Sequence, residues 1–305
     1  MTRREFLVGS GVTGALQAQS IPQTVLVHEH VLVDFGGADV AHPSRYNVDE
    51  VFNAARPRLE AAARFGCRRL QECTPNYIGR DPKLLARLED ATGVEIWTNT
   101  GLYAAAKYKF LPGFVKTETP LSLAKRWIAE ASQGISGVKP RFIKIGVNNG
   151  PLEPLDRKIV EAAALTSSET GLTTAAHTGD GRAALEELEI FVNHKVDPAK
   201  FVWVHAQGEK DHSIHEKVAR AGAWVEFDGI SGKSADWHLQ CVEHMAGKNL
   251  LSRVLISQDA GWYHVGEPAG GTYRGYTYIY TDFLPRLRPE WREALMVVNP
   301  VKAFG

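Results

Sequence analysis

The sequence predicts a (β/α)8 barrel, with eight parallel strands each followed by a helix and closed into one sheet. Three observations carry that prediction. From Thr24 onward, short β-branched or aromatic runs alternate eight times with longer segments whose apolar residues recur at three and four. No Pro- or Ser-rich linker and no internal repeat interrupts the series, so residues 21–305 read as one domain. Side chains of metal-binding type stand at the ends of five of the eight strand candidates.

The first strand is Thr24–His30, "TVLVHEH", followed by a helix over Val48–Phe65. Arg68–Thr74 and Val94–Thr100 are the second and third strands, and the helix Leu121–Gln133 leads to the fourth, Arg141–Val147. The helix Leu155–Thr170 precedes strand Thr173–His177, Gly181–Asn193 precedes Phe201–His205, and Ser213–Arg220 precedes Ala223–Phe227. A last helix, Trp237–Ala246, leads into strand Arg253–Ser257. Two connections exceed the usual two to six residues: "GLYAAAKYKFLPGFVKTETP" after the third strand and "AGWYHVGEPAGGTYRGYTY" after the eighth. Loops that follow barrel strands lie on the catalytic face, so these two are expected to wall the substrate site.

At 305 residues, 44% hydrophobic and 23% charged, the chain can bury a sizeable core. Lys plus Arg and Asp plus Glu both number 35, so no basic field is available to attract nucleic acid or an anionic membrane. No apolar run reaches the ~18 residues of a membrane span. A small-molecule substrate is the expected partner, and a homodimer is compatible with the sequence. Residues 1–20, "MTRREFLVGSGVTGALQAQS", set Arg3 and Arg4 before a short apolar segment and small residues. That pattern reads as a twin-arginine export signal, with a mature periplasmic chain starting near Gln19; without export the protein would stay cytoplasmic. Cys67 and Cys73, about 20 Å apart along one strand at ~3.3 Å per residue, cannot bridge each other, and with Cys241 they read as free buried thiols.

His28 and His30 close the first strand, and a period of two aims both at the same face. Lys144 lies in "RFIKIGV", His177 ends "LTTAAHTGD", His205 ends "FVWVHAQG", and Asp259 follows "RVLISQDAG". Each has an ordinary structural explanation by itself: a strand Lys snorkels to a barrel end, and an Asp after a strand caps a helix. Scattered along the chain, they would converge only at the mouth of a barrel, which favours a metal site.

The order HxH, strand Lys, His, His, Asp resembles the amidohydrolase superfamily, and within it the phosphotriesterase-like family. Supporting stretches are "VHEHV", "IGRDPKLLARL", "FIKIG", "HTGDG" and "NPVKAF". The resemblance implies two divalent metal ions, zinc first, with manganese or cobalt also suited to such ligands. His28, His30 and Asp259 would hold the more buried ion, His177 and His205 the more exposed one, and Lys144, carboxylated by CO2, would bridge them. A hydroxide shared by the two ions would then be the nucleophile, and Asp259 the catalytic proton acceptor.

Substrate identity is where the resemblance divides. Phosphotriesterases carry a histidine after the aspartate that ends strand seven, and related lactonases an arginine; here "EFDGIS" places Gly229 there. Tyr103, in "TNTGLY", matches a tyrosine that lactonase-like members set beside the metals, where a phenol could bond a developing oxyanion. Trp262, Tyr263 and Tyr273 are candidates for an apolar pocket or for packing the eighth loop. Lys107, Lys109 and His264 read better as solvated loop residues than as substrate contacts. The function expected is hydrolysis of a lactone or other carboxylic ester, with phosphotriester cleavage as a side activity. Amide or phosphoester hydrolysis at the same centre is the rival enzyme reading, and a non-catalytic metal-barrel binding protein is the rival of another class.

Overall fold

The computed structural model describes residues 23–305, so the expected export signal lies outside the described residues. The barrel strands are β1 (Thr24–Glu29), β2 (Cys67–Glu72), β3 (Glu95–Trp97), β4 (Phe142–Gly146), β5 (Thr174–His177), β6 (Phe201–Val204), β7 (Trp224–Phe227) and β8 (Val254–Ile256). All pair in parallel with their sequence neighbours; the third strand breaks at Thr98 and resumes at Asn99–Thr100 to meet β4. β8 returns to β1 just beyond the strand ends, where Asp259 N donates to His28 O at 3.1 Å and His30 N to Ala260 O at 2.8 Å. The protein is thus the (β/α)8 barrel that the alternation predicts, with each strand shifted or trimmed by no more than a few residues.

The helices on the outside are α1 (Val48–Arg64), α2 (Pro82–Thr92), α3 (Pro120–Gln133), α4 (Pro154–Thr170), α5 (Gly181–Asn193), α6 (His212–Arg220) and α7 (Ala235–Gly247). Side chains one residue ahead supply caps for the orphan amides of the first turn: Asn47 for α1, Thr119 for α3, Asp180 for α5 and Asp211 for α6. Apolar periodicity did not single out α2, yet its boundaries are written in the chain. Asp81 caps it, Pro82 opens it, and Gly93 at φ 69° closes it. A C-terminal helical run from Pro289 to Phe304 is also additional to the predicted elements. Among the described residues no helix is long and apolar enough to cross a membrane.

Two apolar layers result. One lies between sheet and helices; the other fills the barrel with Val25, Val27, Phe142, Ala175, Val202, Val204, Trp224 and Leu255. Phe304 joins the second layer, its ring 5.9 Å from that of Phe142 at the start of β4, and so the C-terminal helix plugs the lower end. Inward positions continue upward by twos as Lys144, His177, Glu226, Asp228, Ser257 and Asp259. β1 breaks this rule. Its register slips between Leu26 and Glu29, where Leu26 faces Leu70 but Glu29 faces Glu72. The extra residue switches the parity of the strand, so that His28 and His30 face the barrel interior above Val25 and Val27.

Candidate active site

The upper interior is a cavity of about 380 Å³ whose lining includes His28, His30, Tyr103, Lys144, His177, His205 and Asp259. All the residues proposed from sequence as ligands or catalytic groups are therefore brought together. Local backbone helps to aim two of them: His205 at φ 64° and Asp259 at φ 50° are both left-handed, turning each side chain inward just as its strand ends. Gly146 makes room for Tyr103, since a Cβ there would lie 2.5 Å from the phenol ring.

The imidazoles are held from behind. His28 Nδ1 lies 2.9 Å from Glu226 Oε1 and 3.4 Å from Asp228 Oδ2. His30 Nδ1 bonds Thr74 Oγ1 at 2.8 Å, and that hydroxyl in turn donates to Glu72 at 2.5 Å. His205 Nδ1 bonds Asp228, whose other oxygen accepts from His205 N at 2.9 Å. With Nδ1 engaged, each ring has Nε2 left for a ligand. His28 Nε2 is 3.8 Å and His30 Nε2 3.0 Å from Asp259 Oδ1. The rings of His177 and His205 lie 4.4 Å apart, and Tyr103 meets His177 edge-on at 4.9 Å.

The residues fit divalent ions. Two groups, His28–His30–Asp259 and His28–His205–Asp228, present ligand atoms within 4.8 Å of one another. In the second group Asp228 is already spent on His205, Gln207 and His28, so we read it as orienting the rings rather than as a ligand. Lys144 Nζ and Asp259 Oδ1 are buried without a hydrogen-bond partner among the described residues, an arrangement that is costly unless another group completes it. Burial lowers His28 to about 4 and also depresses His30 and His177, which favours the neutral imidazole that binds metal. His205 is raised: burial opposes its charge, but the charge and hydrogen bond of Asp228 prevail. Asp259 stays below the usual carboxylate range because neighbouring imidazoles outweigh its burial. Tyr103 is raised chiefly by burial and remains a phenol.

The walls modify several expectations. Val33, Phe35, Ile78, Phe110 and Trp262 make the cavity largely apolar. Of the three aromatic candidates in the eighth loop, only Trp262 lines it; Tyr263 bonds Glu50 at 3.0 Å and Tyr273 bonds Tyr276 at 2.5 Å, so both pack the loop. Lys109, read as a solvated charge, lies on the cavity wall, whereas Lys107 does not. His264 faces Glu267 at 3.8 Å, outside the cavity. Gly229 sits at φ 74°, a conformation that strains any side chain placed there. Sequence reasoning assigned no role to Glu72, Thr74, Glu226 or Asp228. Acids at alternate positions of "EFD" on an inward strand were the available signal for the last two.

A barrel with imidazoles, a lysine and a carboxylate at the upper strand ends is the architecture of a metal-dependent hydrolase. The model of the phosphotriesterase family matches residues 10–296, and the chain belongs to that family. It is 30% identical to the phosphotriesterase homology protein of Escherichia coli over 274 residues, covering 86% of this chain and 89% of that one. An aryldialkylphosphatase of Saccharolobus solfataricus is 27% identical, over 67% of this chain and 65% of its own. A phospho-furanose lactonase of Mycoplasmopsis agalactiae is 24% identical, over 91% and 84%. The crystal structure of the Escherichia coli protein, complexed with phosphate in its active site, superposes with a TM-score of 0.79 at 26% identity, covering 93% of this chain and 99% of that one.

Proposed function

We propose that the protein hydrolyses a lactone or other carboxylic ester at a two-metal centre. The observation that carries this reading is the apolar cavity set directly on a floor of four imidazoles, a buried lysine and an aspartate. His28, His30 and Asp259 would hold one ion, His177 and His205 the other, and Lys144, as its carbamate, would span both. When bound, divalent cations such as zinc, manganese or cobalt supply Lewis acidity for the carbonyl oxygen and acidify water enough for it to attack near neutral pH.

The chain's own groups handle position and protons. Val33, Phe35 and Trp262 bury the acyl part and exclude water from it. As the water oxygen bonds the carbonyl carbon, Asp259 accepts its proton; as the acyl C–O bond breaks, that proton can pass to the leaving alkoxide. The Tyr103 hydroxyl is available to donate to the oxyanion between these events. An ester or lactone needs less help from an acid than an amide does, and no further carboxyl group lines the cavity among the described residues. Kinship with an aryldialkylphosphatase supports phosphotriester cleavage as a side activity, since the same floor can attack either electrophile.

Turnover of metal-loaded protein against matched lactones, aryl esters, anilides and phosphotriesters tests this. Lactones or esters should give the highest kcat/KM, and Tyr103→Phe should lower kcat on them by roughly 100-fold. Preference for an anilide or a phosphotriester would overturn the assignment. Acids carrying a remote carboxylate belong in the panel because of Lys109.

A further inference from the structure

Glu29 stands between His28 and His30, yet the mechanism above gives it no part. Its carboxylate is fully buried and turned away from the cavity, towards the end of β8. Oε2 accepts from Ala260 N at 2.7 Å, and Oε1 from Gln258 N at 3.1 Å and Ser257 Oγ at 2.8 Å. Every one of these donors lies within two residues of Asp259, and two of them are the amides on either side of it.

We propose that Glu29 is the positioning residue for Asp259, gripping the backbone on both sides of it so that its carboxylate meets the two imidazoles of β1. The left-handed conformation of Asp259, φ 50°, is unfavourable for a residue with a side chain and needs its surroundings to hold it. Glu29 supplies that hold through two amides and a hydroxyl. The same seam is tight elsewhere: a Cβ on Gly261 would lie 1.7 Å from His30 O, so the loop after β8 can press on β1 only because position 261 is glycine. HxH with an acid between is thus one device, in which the histidines face the cavity and the acid fixes the ligand that comes from the opposite end of the chain.

This inference rests on the metal-centre reading, and the test separates the two. Zinc affinity of folded apoprotein is measured by chelator competition for wild type, Glu29→Gln and, as a control, Asp156→Asn, another fully buried acid, whose partners are Tyr108 and Asn148. An amide in place of Glu29 cannot accept on both sides, so one of the two zinc ions should bind roughly 10- to 100-fold more weakly while the other is little changed. The control should lose thermal stability and keep both affinities. Should Glu29→Gln fail to fold, Glu29→Asp, which keeps the carboxyl group but shortens the reach, is read in the same way. Unchanged affinity for both ions, or equal weakening of both in Glu29→Gln and Asp156→Asn, would overturn the positioning role. Wild-type protein that binds no zinc would overturn the metal centre itself.

Discussion

The two ends of the barrel interior are built by the same strands to opposite rules. Below, Val25, Phe142, Val202, Trp224 and Leu255 fill the space and Phe304 seals it, so stability there follows apolar burial and packing. Above, Lys144, His28, Glu226 and Asp228 are just as buried but polar, and nearly every atom is matched by a partner from another strand. The lower end needs only volume. The upper end needs specific atoms in specific places, and two of the atoms left without a partner there, Lys144 Nζ and Asp259 Oδ1, belong to residues that line the cavity, where a bound ligand would complete them.

The sharpest way to break this contrast is Lys144→Ala. At the lower end the loss of a long side chain would be a packing defect; at the upper end it should abolish metal retention and lower turnover by more than ~100-fold, beyond what loss of an outer partner costs. Acetate or propionate in excess should restore part of both by entering the vacated space. Metal content and rate measured on folded protein, with and without the acid, check this; a variant that keeps its metals and its rate would remove the bridge from the proposal.

Asp228→Asn tests the partners behind the ligands. The amide can no longer accept from both His205 nitrogens and Gln207 as the carboxylate does, so metal affinity should fall roughly 10- to 100-fold with little change in melting temperature. Direct ligation by Asp228 would instead remove the ion outright. The reverse pattern is expected below: Phe142→Ala should cost about 3–5 kcal/mol of stability, by denaturant titration, and leave the metal affinity of the folded protein unchanged. Weakened metal binding in Phe142→Ala would show that the two ends are mechanically coupled.

Much of this protein is decided by local sequence. Period-two and period-3.6 patterns set strands and helices, Asp81, Thr119 and Asp180 mark where helices begin, and His28, His30, Lys144, His177, His205 and Asp259 already stand where strands end. What the chain could not disclose locally concerns contacts between distant residues. Alternation alone sets Val25 and Val27 on the face opposite His28 and His30, and only pairing of β1 with β2 reveals the slip that turns all four inward. Glu226 lies 198 residues from His28 and Glu29 lies 231 from Ala260, so their roles depend on closure of the barrel. The cavity wall is likewise assembled from separate loops, which is why Phe35 and Lys109 face the site while Tyr263 and Tyr273 do not. Secondary structure responds to neighbours a few residues away, whereas parity, partners and walls are properties of the closed sheet, and only the tertiary structure brings them into being.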